Sequence, residues 1–229
     1  FLHGNWRESD AIEFQKKIAH HLAKSATIED LTRPLFEIDK ITRSQLTLNC
    51  SDHAMVIYYQ AQTDDVVEKV KMMALNHLIN QDYFNELRTK QQLGYLVGAG
   101  YAPFNTRAGI AFYVQSPNYS ATAIFERHNA FLEQFLASLE QLKHGLTTHI
   151  AEKDKNLRLR SQRLWLAIGN QDHHFHMQQK LLEALENLSL AQIVTYIRET
   201  FAEHRPRYEL LSVPKTNKTT KKLISSHSL

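Results

Sequence analysis

A single cysteine, Cys50, leaves this 229-residue chain without the means for an internal disulfide. The count fits a cytosolic protein, and equally a periplasmic one that needs no covalent staple. Long apolar runs are missing too. None approaches the roughly 18 residues needed to cross a bilayer, so no membrane span is expected. Charge of one sign is also lacking: 27 Lys and Arg against 24 Asp and Glu leave a net charge of +3. The basic residues do cluster twice, at Lys153, Lys155, Arg158, Arg160 and Arg163, and at Lys215, Lys218, Lys221 and Lys222. Neither cluster is interleaved with aromatics, so they read as a solvated helix face and a basic tail rather than a nucleic-acid surface. The opening FLHGNWRESD has no Met, no basic n-region and no hydrophobic h-region, hence no visible targeting signal. Its apolar start running into Gly4-Asn5 reads as the end of a strand, and the chain as a fragment of a longer polypeptide.

Motifs of catalysis are equally scarce. Neither G-x-G-x-x-G nor G-x-x-x-x-G-K-[ST] occurs, which excludes the familiar phosphate-binding loops, and G-x-S-x-G is absent. Thirteen histidines invite a metal reading, but H-E-x-x-H and H-x-x-E-H are both missing. The nearest approach, His149-Ile-Ala-Glu152-Lys153, puts a lysine where the second ligand belongs. In Asp172-His173-His174-Phe175-His176, the pair His173/His176 could share a helix face with Asp172 as its cap. That cluster reads as an exposed helix start rather than a metal site.

What is present is a pattern of mixed elements. Ser9 and Asp10 suit an N-cap ahead of Ile12, Phe14, Ile18, Leu22 and Ala23 at helical spacing. Pro34 breaks the stretch after that helix. QLTLNC (45–50) and AMVIYYQAQT (54–63) read as strands of a hairpin turning at Ser51-Asp52-His53. Asp64 and Asp65 open a helix with Val67, Val70, Met73, Ala74, Leu78 and Ile79 inward, continuing with a bend through Phe84 and Leu87. GYLVGAGYAP (94–103) and AGIAFYVQS (108–116) form a second hairpin across Asn105-Thr106-Arg107. Helices then run over about 120–143, 146–166, 172–187 and 189–203. Ser189 caps the last, and Pro206 precedes a closing strand in RYELLSV. The order predicts an α+β fold, a mostly antiparallel sheet with helices layered on one face.

The seven glycines are distributed unevenly: Gly94, Gly98, Gly100 and Gly109 fall within one window beginning at the Arg88-to-Tyr95 stretch. Glycine in a strand admits a bulge or close approach by another backbone. A helix-end Arg88 and a strand-start Tyr95 could present two long donors from one corner of the sheet, suited to the carbonyl oxygens of an extended peptide. A solvated arginine and a tyrosine packed on the sheet would account for the same residues.

FNELRTKQQLGYLV (84–97) closely resembles the matching stretch of the insulin-degrading enzyme and pitrilysin family, the inverted-zincin metallopeptidases. FLHGN, IYYQAQTD and AGIAFYVQSPNYSATAIFERHNAFLEQF resemble that family's fourth, C-terminal domain in the same order. The resemblance covers nearly the whole chain and fades past about residue 213, implying one noncatalytic domain over 1–213 and a basic tail over 214–229. It further implies four metallohydrolase-like domains enclosing a peptide chamber. Zinc would be bound through H-x-x-E-H and a distant Glu in the first domain, with no zinc ligand or general base in this chain. Arg88 and Tyr95 match the family's arginine and tyrosine that reach across the chamber to substrate carbonyls. Gly94, Gly98 and Gly100 would let substrate or a neighbouring domain come close. The implied partners are a peptide substrate and the other domains of the same polypeptide. The alternative function is a scaffold or peptide-binding module that has lost catalysis. The family's members divide between periplasm and cytosol.

Overall fold

The alternation of side chains along His53–Gln60 builds the core: Met55, Ile57 and Tyr59 all point to one buried face. The computed structural model describes residues 3–22, 36–139, 156–169 and 175–215. In it this strand, β2, is one of five, with β1 at Thr42–Leu48, β3 at Leu96–Tyr101, β4 at Gly109–Ser116 and β5 at Tyr208–Pro214. They form a single sheet in the order β1-β5-β2-β4-β3. Every pairing is antiparallel except that of β1 with β5.

Two helices lie on the buried face. Helix α2, Val66–Tyr83, packs on β3 and β4, and α3, Ala121–Ser138, packs on β2 and β5. Phe112 on β4 meets Tyr83 of α2 edge to face, with ring centres 5.0 Å apart. Helix α1 spans Glu8–Leu22, α4 Leu157–Gly169, α5 Met177–Glu186 and α6 Leu190–Thr200. Helices α5 and α6 pack against α2, and Phe201 at the end of α6 meets the rings of Tyr59 and Phe112 on the sheet. Asp65 caps α2 by accepting from Glu68 N, Ser120 caps α3 through Ala123 N, and Ser189 opens α6 in a reciprocal capping box with Gln192.

The α+β architecture and the mostly antiparallel sheet agree with the sequence reading, and four local features differ from it. The first hairpin does not form. β5 inserts between β1 and β2, because its buried Glu209, Leu211 and Ser212 suit an interior position whereas β1 is largely exposed and polar, an edge strand. Helix α2 buries Val70, Ala74 and Ile79 as read and packs Leu78 against the core, but it also buries Met72 and Leu75, leaves Met73 half-buried and exposes Val67. It is sandwiched between sheet and helices, so its burial is not confined to one stripe. Helix α1 begins at Glu8, ahead of Ser9 and Asp10, and its Ile12, Phe14, Ile18 and Leu22 are exposed. His3–Asn5 form no strand.

The second hairpin forms as read, with Leu96 opposite Gln115 and Tyr101 opposite Ile110. Asn105 takes the left-handed conformation at its turn (φ 58°). Phe1, Leu2, Ala23, Pro34, the segment 140–155 with His149, Glu152, Lys153 and Lys155, the residues Asp172–His174 and the tail from 216 lie outside the described residues.

Candidate functional site

Helix α2 does not simply bend at its end. It passes into a seven-residue π-helix, Phe84–Lys90, and Arg88 is carried on that segment. Such wide turns are uncommon and are frequent at functional sites. Leu87 and Leu93, both fully buried, anchor the backbone on either side of Arg88. Leu93 N donates to Leu87 O at 3.0 Å and Gln91 N to Glu86 O at 2.9 Å, closing the segment. Gln92 adopts φ 53°, unusual for a residue with a side chain, and turns the chain towards β3.

A polar tether holds the same corner. Lys90 Nζ lies 2.9 Å from Glu86 Oε2, and Gln91 Nε2 donates to Glu86 Oε1 at 3.1 Å. The Lys90 hydrogen bond, then that of Gln91, holds the Glu86 carboxyl below the ordinary range. From α3, Arg127 Nη1 donates to Gln91 Oε1 at 2.9 Å while stacking its guanidinium 4.7 Å from the Tyr119 ring centre. Glu86, the carboxylate nearest Arg88 in sequence, is thus already engaged.

Tyr95 sits just before β3 and is 89% exposed. The Arg88 guanidinium carbon lies 5.4 Å from its ring centre, within cation–π range. Among the described residues neither the Arg88 guanidinium nor the Tyr95 hydroxyl makes a hydrogen bond or ion pair. The structure therefore brings the two sequence-predicted donors together at an exposed corner. It sets them beside β3, which is an edge strand of the sheet. A permanently charged guanidinium and a phenol can together donate to one carbonyl or to neighbouring carbonyls of an extended chain.

The glycines divide. A Cβ on Gly94 would stand 1.8 Å from the backbone oxygen of Gln115, so this residue is set by close approach of β4. At Gly98 a Cβ would meet the Tyr113 hydroxyl at 2.4 Å. The room left by these two is filled by the domain's own sheet. Only at Gly100 does nothing lie within 4 Å.

Among the described residues no group of three or more His, Cys, Asp or Glu could hold a metal ion. Of the Asp172–His176 cluster only Phe175 and His176 are described. The tether through Glu86, Gln91 and Arg127 was not read from the sequence. Arg127 lies on a separate helix, and nothing local connects it to Gln91.

Residues 74–165 match the family described as PQQ synthase PqqF-like, C-terminal lobe domain 4. The chain is 27% identical over 233 residues to a nardilysin-like protein of Arabidopsis thaliana, covering 92% of this chain and 22% of that protein. It is 29% identical over 182 residues to the insulin-degrading enzyme of Homo sapiens, covering 75% of this chain and 17% of that enzyme. The crystal structure of pitrilysin shares the fold with a TM-score of 0.71 at 18% identity, over 95% of this chain and 24% of that one. The chain is thus similar in sequence to nardilysin-like and insulin-degrading enzymes, and its family match is to a C-terminal lobe domain. It spans about a fifth of the length of these relatives.

Proposed function

We propose that this chain is a substrate-holding domain of a larger metal-dependent peptidase, with Arg88 and Tyr95 as its contacts to the peptide. The observation that carries this reading is the pairing of two unengaged donor side chains, the Arg88 guanidinium carbon 5.4 Å from the Tyr95 ring centre, at an exposed corner next to an edge strand. An extended peptide passing that corner would present its carbonyl oxygens to both. Donors fixed in place before the reaction stabilise the charge that develops on a carbonyl oxygen more than they stabilise the ground state. Arg88 holds the peptide and polarises the carbonyl; Tyr95 donates from its hydroxyl.

Zinc would be the cofactor of the whole enzyme, supplying the Lewis acid and the activated water. Among the described residues of this chain no group of three or more His, Cys, Asp or Glu fits it. Peptide cleavage and metal content, measured on this chain and on the complete polypeptide that contains it, test the reading. It expects an inactive, metal-free chain and an active, metal-loaded whole. A complete polypeptide that binds peptide without cleaving it would favour the scaffold alternative. Stoichiometric metal and cleavage in this chain alone would overturn the assignment.

A further inference from the structure

At the other end of β4 from Gly94 and Tyr95, a cavity of about 210 Å³ opens between the end of β2 and the start of β5. Two arginines line it, Arg107 and Arg205. Arg205 is 7% exposed. Its Nη2 donates to Gln60 O at 3.1 Å, its Nε has no hydrogen-bond partner, and among the described residues no carboxylate lies within ion-pair distance. Burying a guanidinium with one neutral acceptor is costly unless an anion compensates it.

Arg107 adds a second positive charge. Its Nη1 donates to the carbonyls of Ala61 and Gln62, its Nη2 lies 2.8 Å from Glu37 Oε1, and its buried Nε is unpartnered. Glu37 is 67% exposed at the side chain, so this pair is weakened by solvent. The wall is built rather than incidental. The Gln60 side chain, itself buried, accepts from Ile38 N at 3.1 Å and donates to Phe36 O at 3.0 Å, fixing the segment that carries Glu37 and Asp39. Two arginines thus line a cavity in which one carboxylate is committed to Arg107 and the other, Asp39, is exposed to solvent.

We propose that this cavity binds a small oxyanion of the carboxylate or phosphate type, held by Arg205 with Arg107 in support. The volume suits an ion rather than a drug-sized molecule, whose sites begin at about 300 Å³. Planar guanidiniums match such oxyanions in a bidentate manner.

Inorganic phosphate and, separately, acetate are titrated into the purified chain at constant ionic strength, followed by calorimetry and by thermal midpoint. The expected result is saturable one-to-one binding of at least one of them at millimolar concentration, with a rise in Tm. Phosphate alone, acetate alone or both would name the ligand class. Arg205→Gln is expected to abolish binding. Asp39→Asn, an exposed change that leaves the fold alone, is expected to tighten it several-fold by removing a like charge from the lining. No saturable binding of either anion overturns the proposal. So does undiminished binding in folded Arg205→Gln, or an affinity unchanged in Asp39→Asn; should Arg205→Gln not fold, Asp39→Asn decides.

Discussion

The Arg88 guanidinium carbon stands 5.4 Å from the centre of the Tyr95 ring, and this contact across a tight turn defines the exposed corner beside β3. Seven positions separate the two residues in sequence. They meet because the π-helix widens the last turn before Lys90 and Gln92 then reverses the chain through a left-handed conformation. An exposed cation–π contact contributes only about 0.5–1 kcal/mol. What it fixes is a shared direction for two donors.

Gly94 and Gly100 are expected to answer the same substitution in opposite ways. An added methyl at Gly94 drives into the Gln115 carbonyl, and Gly94→Ala should destabilise the chain by about 1–3 kcal/mol, as overpacking does. Gly100→Ala meets nothing, and should be neutral or stabilise by up to about 1 kcal/mol through the unfolded chain. Urea unfolding of the two variants checks the contrast, and equal midpoints would contradict it.

His128 is a fully buried imidazole on α3, its Nδ1 3.2 Å from the Tyr83 hydroxyl and its Nε2 without a partner. Burial, then the charge of Arg207, pushes its pKa down to about 3. The folded value lies below the ordinary 6.5, so between the two the unfolded chain binds the extra proton. Stability from this group is complete above about pH 6.5 and declines as pH falls towards 3. The loss should amount to a few kcal/mol, on the order of 1.4 for each unit crossed. Denaturant midpoints against pH should slope downward in this window for the wild type, and less steeply for His128→Phe.

Glu209 is a carboxylate with 0% exposure on β5, bridged by Arg43 Nε at 2.6 Å and Arg207 Nε at 2.7 Å. Glu209→Gln keeps the shape and removes the charge, leaving Arg207, whose side chain is 16% exposed, without its counterion. A loss of about 3 kcal/mol is expected, and a urea midpoint close to wild type would contradict the bridge.

Much of this was legible in the residues because its causes are local. β-Branched and aromatic residues in AMVIYYQAQT mark β2, Asn105 marks the β3–β4 turn, and Ser189 marks the start of α6. Arg88 and Tyr95 stood out as a pair through a resemblance and through long donors beside glycines. What could not be read depends on distant partners. The insertion of β5 between β1 and β2 joins residues more than 150 positions apart, such as Arg43 and Glu209. The fillers of the space at Gly94 and Gly98 are Gln115 and Tyr113, set by the register of β4. The π-helix leaves no mark in apolar spacing beyond a disturbance that reads as a bend.

The account turns on Tyr95 acting on substrate, and kcat/KM of Tyr95→Phe in the complete polypeptide, with metal content measured alongside, tests it most directly. The variant keeps the ring over Arg88 and removes only the hydroxyl. The expected outcome is a fall of about 10²–10³-fold in turnover with metal content unchanged, the usual cost of losing one such donor. Wild-type turnover in a metal-loaded Tyr95→Phe enzyme would contradict the assignment.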